Sequence, residues 1–156
     1  MTERAANAED HPELARAWLA AAVDPAASAE LEAIYEMVSN QIAARGPACW
    51  ASGRCCNFRA SGHRLYVTGL EAAYMLTRLA PEQRLTEGRV ADAVERGDCP
   101  MLAGNMCSVH TIKPLGCRVY FCDRSAQHWQ QELSERALNQ IRGLHDRHAI
   151  EYRYCL

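Results

Sequence analysis

The chain has no apolar run approaching the ~20 residues that a membrane-spanning helix needs. Residues 1–30 also lack the basic start and the apolar run of roughly 7–15 residues that mark a secretory leader. Glu3, Glu9, Asp10 and Glu13 interrupt that stretch instead. The formal net charge is only -2, so the chain as a whole carries no basic signature for nucleic acid. A Walker loop, a Rossmann glycine fingerprint, a G-x-S-x-G elbow and an H-E-x-x-H helix are all missing. There is no internal repeat, low-complexity segment or domain linker. These absences point away from a membrane protein and from the commonest nucleotide-dependent and hydrolytic enzymes. The compartment expected is the cytoplasm, where clustered cysteines bind metal or do chemistry more often than they form disulfides. A protein partner is left open.

What the chain does have is cysteine. Of its 156 residues eight are cysteine, and seven of these fall between Cys49 and Cys122. The length suits one domain with a core of its own, and an apolar content of 49% is that of a globular protein. The reading is therefore a single domain over 1–156. It divides into N-terminal helices over 1–48, a cysteine core over 49–123 and a C-terminal helix over 124–156. Pro12 suits the first turn of a helix that Asp24-Pro25 ends. Leu31, Ile34, Tyr35, Val38 and Ile42 recur at helical spacing up to Gly46-Pro47. Residues 58–67 read as a short hairpin turning at Ser61-Gly62, with Leu65-Tyr66-Val67 as a strand. Thr68-Gly69-Leu70-Glu71 is a capping-box pattern that opens a third helix. Pro81 to Arg96 reads as a fourth helix ended by Gly97. Residues 99–122 read as loop with short turns. Residues 125–153 read as a last helix, with Trp129, Leu133, Ala137, Ile141, Leu144 and His148 on one face. The fold expected is mainly α, a small α+β domain whose end helices pack around a cysteine-rich, metal-binding core with a short hairpin.

Thiolate is a soft ligand that favours zinc, copper(I) and iron–sulfur clusters. The candidate ligands are Cys49, Cys55, Cys56, Cys99, Cys107, Cys117 and Cys122. Gly53, Gly104 and Gly116 let the loops that carry them fold closely around an ion. The spacings are Cys49-x5-Cys55-Cys56, Cys99-x7-Cys107 and Cys107-x9-Cys117-x4-Cys122. None is the C-x2-C pair of a zinc ribbon or the C-x2-C-x2-C run of a bacterial ferredoxin. Spacing thus supports a metal site without naming the metal. Inert buried cysteines account for one or two such residues, not seven. A disulfide framework fits poorly with the missing leader, and adjacent Cys55 and Cys56 pair badly with each other.

Cys49-Trp50-Ala51-Ser52-Gly53-Arg54-Cys55-Cys56 resembles the C-x2-C-G-x-C-C signature of the YkgJ-type cysteine-cluster family of zinc- or iron-chelating domains. Val67-Thr68-Gly69-Leu70-Glu71 is similar to that family's strand-to-helix step, with a shifted spacing. Cys99-Pro100-Met101-Leu102 is similar to its C-P-F-L segment. The run from Cys107 through Lys113-Pro114-Leu115-Gly116-Cys117-Arg118-Val119-Tyr120 resembles C-x-I-Y-x-x-R-P-x-x-C-R-x-(Y/F). The resemblance covers roughly residues 49–123. It implies metal binding through the seven cysteines. Related clusters in flagellin lysine methylases imply an iron–sulfur centre, although nothing here resembles a methyltransferase half. Two departures stand out: Ser52 takes the place of a cysteine, and Lys113 that of an arginine.

Arg118 is a candidate to hydrogen-bond a thiolate or balance cluster charge, with an ordinary carboxylate pairing as the alternative. Tyr120 and Phe121 are candidates to shield the site from water. His110 reads as a packing or hydrogen-bonding residue. His145 and His148 share a helix face and read as surface or partly buried helix histidines, with metal ligation as the alternative. Cys155 offers an eighth thiol in place of Ser52, against the plainer reading of a free thiol near the chain end. The cofactor expected is an iron–sulfur cluster of the four-cysteine [4Fe–4S] kind, or zinc. The favoured function is an iron–sulfur electron-transfer or accessory protein. The alternatives are a structural zinc-binding interaction module and a metalloenzyme with an open metal position near Ser52.

Overall fold

A computed structural model of the protein describes residues 11–49, 53–63 and 65–155. The described chain is mainly helical, as the sequence leads one to expect. Helix α1 (Pro12–Val23) opens on proline, and α2 (Pro25–Arg45) is capped by Asp24, which accepts the Ala27 N–H at 2.9 Å. Gly46 ends α2 in the left-handed region at φ 62°. The expected capping box is present. Thr68 Oγ1 accepts from the Glu71 N–H at 3.2 Å, and Glu71 Oε2 accepts from the Thr68 N–H at 3.3 Å, opening α4 (Gly69–Thr77).

Four local expectations are corrected. The hairpin over 58–67 is instead a single helical turn, α3 (Phe58–Ser61), followed by a two-residue strand, β1 (Val67–Thr68). Asn57 caps α3 by accepting the Ala60 N–H at 3.1 Å, so Ser61-Gly62 ends a helix rather than turning a hairpin. The helix expected over 81–96 is split. Pro81–Gln83 is a single 3-10 turn, and Thr86 then caps a new helix, α5 (Glu87–Arg96). Gln83 is diverted from helix continuation because its side chain accepts the Ala80 N–H and donates to the Ser108 carbonyl at 2.7 Å. The second cysteine block is more ordered than loop. It carries a hairpin of β2 (Leu102–Ala103) and β3 (Met106–Cys107), then a short α6 (Leu115–Val119).

The last helix, α7 (Gln127–Arg147), stops well before Arg153. Its end is a Schellman closure: the Ile150 N–H donates to the His145 carbonyl at 2.9 Å and the Ala149 N–H to the Asp146 carbonyl at 3.4 Å. Ala149 takes the left-handed position at φ 51°, which glycine usually fills. The chain then turns back and adds β4 (Tyr154–Cys155) antiparallel to β1, with Val67 opposite Cys155.

The apolar core lies among α1, α2, α4, α6 and α7. It includes Trp18, Leu31, Val38, Leu70, Leu115, Leu133, Ile141 and Leu144. Gly69 lets α4 approach Trp18, because a Cβ there would sit 2.3 Å from the indole ring. The Trp18 Nε1–H donates to the Glu151 carbonyl at 2.9 Å, which ties α1 to the returning C-terminal segment. Glu71 is buried and joins three helices. It accepts from the Tyr35 hydroxyl at 3.0 Å, from the Leu115 N–H at 2.7 Å and from the Thr68 hydroxyl at 2.9 Å. Through Leu115 it fixes the start of α6, and so the position of Cys117 against the core. No described helix is long and apolar enough to cross a membrane.

Candidate metal centre

Three stitches bring the two cysteine blocks together. The Cys99 N–H donates to the Cys56 carbonyl at 2.7 Å, and the Arg59 N–H to the Gly97 carbonyl at 2.9 Å. Gly53 lies so close to Asn105, in the β2–β3 turn, that a Cβ would stand 3.2 Å from the Asn105 backbone. The result places the Cys56 thiol close enough to those of Cys99 and Cys107 for each to shift the others' ionisation. Cys117 interacts electrostatically with Cys99 and Cys107, so it belongs to the same group.

The backbone prepares two of these sulfurs for negative charge. The Met101 N–H donates to Cys99 Sγ at 3.4 Å, and the Val109 N–H donates to the Cys107 sulfur. In both cases the donor lies two residues after the cysteine. The Cys56 thiol is a further donor to each. That hydrogen bond, helped by Val109 and Lys113, lowers the Cys107 thiol to about 6 despite its burial. The bond from Cys56 also lowers Cys99, while Cys56 itself is pushed strongly up by its bonds to Cys107 and Cys99. Burial pushes Cys117 up to about 12.

Cys55, next to Cys56 in the chain, also interacts electrostatically with Cys56 and Cys117. The Ala48 N–H donates to Asp123 Oδ2 at 3.2 Å, which sets Cys49 and Cys122 on neighbouring segments. Tyr120 interacts electrostatically with both Cys122 and Cys55. Its ring stacks on His63 at 4.7 Å and 27°. His63 also meets the edge of Phe58, and its Nε2 is buried with no hydrogen-bond partner. The sequence reading passed over His63. Its signal was only a histidine seven positions after Cys56, which nothing in the spacing singles out.

Among the described residues Arg118 neither pairs with a carboxylate nor hydrogen-bonds a thiol. Its guanidinium lies over the Tyr35 ring at 4.0 Å and donates to the Thr111 carbonyl at 2.8 Å. Its interaction with Cys117 is electrostatic. His110 is exposed and lies 3.2 Å from Lys113 Nζ. His145 is buried against Tyr152 with Nδ1 3.1 Å from the Ile150 carbonyl oxygen, and His148 stands 3.5 Å from Glu30. The Tyr152 and Tyr154 rings pack at 5.4 Å and hold the chain end beside Tyr66 and His145. Ser52 and the side chain of Cys155 lie outside the described residues, and with them the open position and the eighth thiol.

All seven described cysteines are free thiols. Among the described residues no three His, Cys, Asp or Glu side chains form a ready cage for an ion. The two findings agree. Cys99 and Cys107 meet through Cys56, which is contact, whereas coordination needs every sulfur to face one centre. Compared with protein-family models, curated proteins and solved structures, the chain matches none.

Proposed function

We propose that this chain is a cysteine-cluster metal protein in which Cys56, Cys99, Cys107 and Cys117 hold one ion, and that the ion is zinc. The observation that carries this reading is the Cys99 N–H bond to the Cys56 carbonyl at 2.7 Å, which brings the two cysteine segments together so that the Cys56 thiol interacts with those of Cys99 and Cys107. Neighbouring sulfurs on a tetrahedral zinc stand about 3.8 Å apart, given a Zn–S bond of about 2.3 Å. Thiols that hydrogen-bond to one another are spaced on that scale. In a [4Fe–4S] cluster each cysteine takes its own iron, so the sulfurs spread over the corners of a cube. The resemblance to the YkgJ-type family agrees with a metal site. The role that follows is structural: zinc holds loops from two parts of the chain in one lobe and presents their surface to a partner.

An iron–sulfur cluster is the second reading. The amide bonds to Cys99 and Cys107 favour it, because such bonds tune cluster potentials. Anaerobic purification with metal and sulfide analysis separates the two. The expected product is colourless, with about one equivalent of zinc or more and no acid-labile sulfide. Changing Cys99→Ser should release that zinc. A brown protein with iron and sulfide would replace zinc by a cluster, and a protein that binds neither would overturn the metal reading.

A further inference from the structure

A pocket of about 430 Å³ lies between the β1–β4 pair, the start of α6 and one face of α7. Its volume is in the range of small-molecule sites, and the metal reading gives it no task. Tyr66 and Tyr154 line it with exposed rings that meet edge to face at 6.4 Å. Leu115, Leu138 and Ser134 supply the walls. Gly116 lets α6 close up against the residue before β1, since a Cβ there would stand 2.9 Å from the Tyr66 carbonyl.

Glu71 is the one charged side chain among the described residues that line the pocket. Its carboxylate accepts from the Tyr35 and Thr68 hydroxyls and from the Leu115 and Thr68 N–H groups. These donors are neutral, so they satisfy its lone pairs without cancelling its charge. Among the described residues no basic side chain is ion-paired with it. Arg118 feels the charge, but its guanidinium lies over the Tyr35 ring. A negative charge behind apolar walls attracts a cation more strongly than it would in water. Tyrosine faces add cation–π attraction. An anion would be repelled there, and a purely apolar molecule would leave the charge unused.

We propose that this pocket binds a small organic amine, with its ammonium directed toward Glu71 and its apolar body against Leu115, Leu138 and the Tyr66 and Tyr154 rings. The site does not depend on which metal the thiols hold. The full chain is titrated with phenethylamine and followed by amide chemical shifts in NMR. The shifts should centre on Tyr66, Gly116, Ser134 and Tyr154, with a Kd of about 1 mM or tighter. Phenethyl alcohol has the same shape without the charge and should bind about tenfold more weakly. Hydrocinnamate, the anionic counterpart, should not bind measurably. Ser134→Phe fills the pocket from α7 and should abolish the amine shifts while the helical circular dichroism is retained. Tyr66→Leu keeps an apolar wall without a ring face and should weaken the amine about fivefold, with little change for the alcohol. No binding of the amine at about 10 mM, equal affinity for the three probes, or shifts centred elsewhere would each overturn the proposal on the wild type alone. Amine shifts that persist in folded Ser134→Phe would overturn it too.

Discussion

Two regions of this molecule are built in different ways. The helices α1, α2, α4, α6 and α7 interlock through aliphatic and aromatic side chains, and Leu31, Val38, Ile141 and Leu144 have no exposed surface. The cysteine lobe comprises α3, α5, the β2–β3 hairpin and the loops between them. Its described apolar residues buried in the fold are Cys56, Ala93, Met101 and Val109, none of which belongs to the main cluster. The helical region has the apolar contact to hold itself together. The lobe is held by backbone stitches, side-chain hydrogen bonds such as Arg59 to the Glu95 carbonyl and Ser108 to the Met101 carbonyl, and the Phe58–His63–Tyr120 ring contacts. The cysteines are concentrated where the hydrophobic packing is thinnest, and on the proposed reading metal–sulfur bonds would stand in for a core there, as they do in small metal-dependent domains.

That contrast can be broken or sharpened by mutation. The largest effect belongs to the helical core. Ile141→Ala removes a fully buried side chain and should cost about 2–5 kcal/mol in chemical unfolding. Zinc content measured on the folded fraction should not change. Glu71→Ala should cost about 3 kcal/mol, because the Tyr35 hydroxyl and the Leu115 and Thr68 N–H groups lose their buried acceptor. As Glu71 also sets the start of α6, this variant should weaken zinc binding as well, which separates it from Ile141→Ala.

The third effect is a pH dependence confined to the lobe. Cys107, lowered to about 6, is already ionised at neutral pH, whereas Cys56 and Cys117 are held protonated. Each ion entering the quartet between pH 6 and 8 therefore displaces at least two protons, those of Cys56 and Cys117, and more where Cys99 is still protonated. The apparent zinc affinity should rise by at least about 100-fold per pH unit, or about 2.7 kcal/mol. It should fall still more steeply below pH 6, where Cys107 also takes up its proton. A competition titration with a chromophoric chelator at several pH values reads the slope, and a flat profile would contradict the thiol assignment. The smallest effect is a gain. Ala149→Gly should stabilise the protein by about 1 kcal/mol in thermal or chemical unfolding, by relieving the left-handed backbone at the end of α7.

What the sequence made legible follows the same division. Helices α1 and α2 and the capping box of α4 rest on local signals: Pro12, Asp24-Pro25, Gly46, Thr68 and Glu71. They stand where those signals put them. The end of α7 was hidden because Ala149 takes a position where glycine would have announced the stop. The β1–β4 pairing was hidden because it joins residues 67–68 to 154–155 and has no local signature. The β2–β3 hairpin was missed although Gly104-Asn105 is a two-residue turn signal, since the cysteines around it read as loop. For the site, the cysteines were legible as a set but not in their grouping. Which thiols meet depends on contacts such as Cys99 to the Cys56 carbonyl and Ala48 to Asp123, and spacing encodes neither. Arg118 was expected to hydrogen-bond a thiolate, balance cluster charge or pair with a carboxylate; it interacts electrostatically with Cys117, and its stacking on Tyr35, a partner on α2 more than 80 residues away in sequence, had no local signal.

Residue-resolved hydrogen exchange on the zinc-loaded protein, before and after a strong chelator, tests the central claim most directly. Structural zinc in small peptide sites is worth roughly 10–16 kcal/mol, so its removal should raise exchange at the Arg59, Cys99, Leu102 and Ser108 amides by about 1,000-fold or more. The amides of α2 and α7 around Leu31 and Ile141 should keep their protection. Unchanged exchange in the lobe after demonstrated removal of zinc, or an equal loss of protection in both regions, would contradict the account.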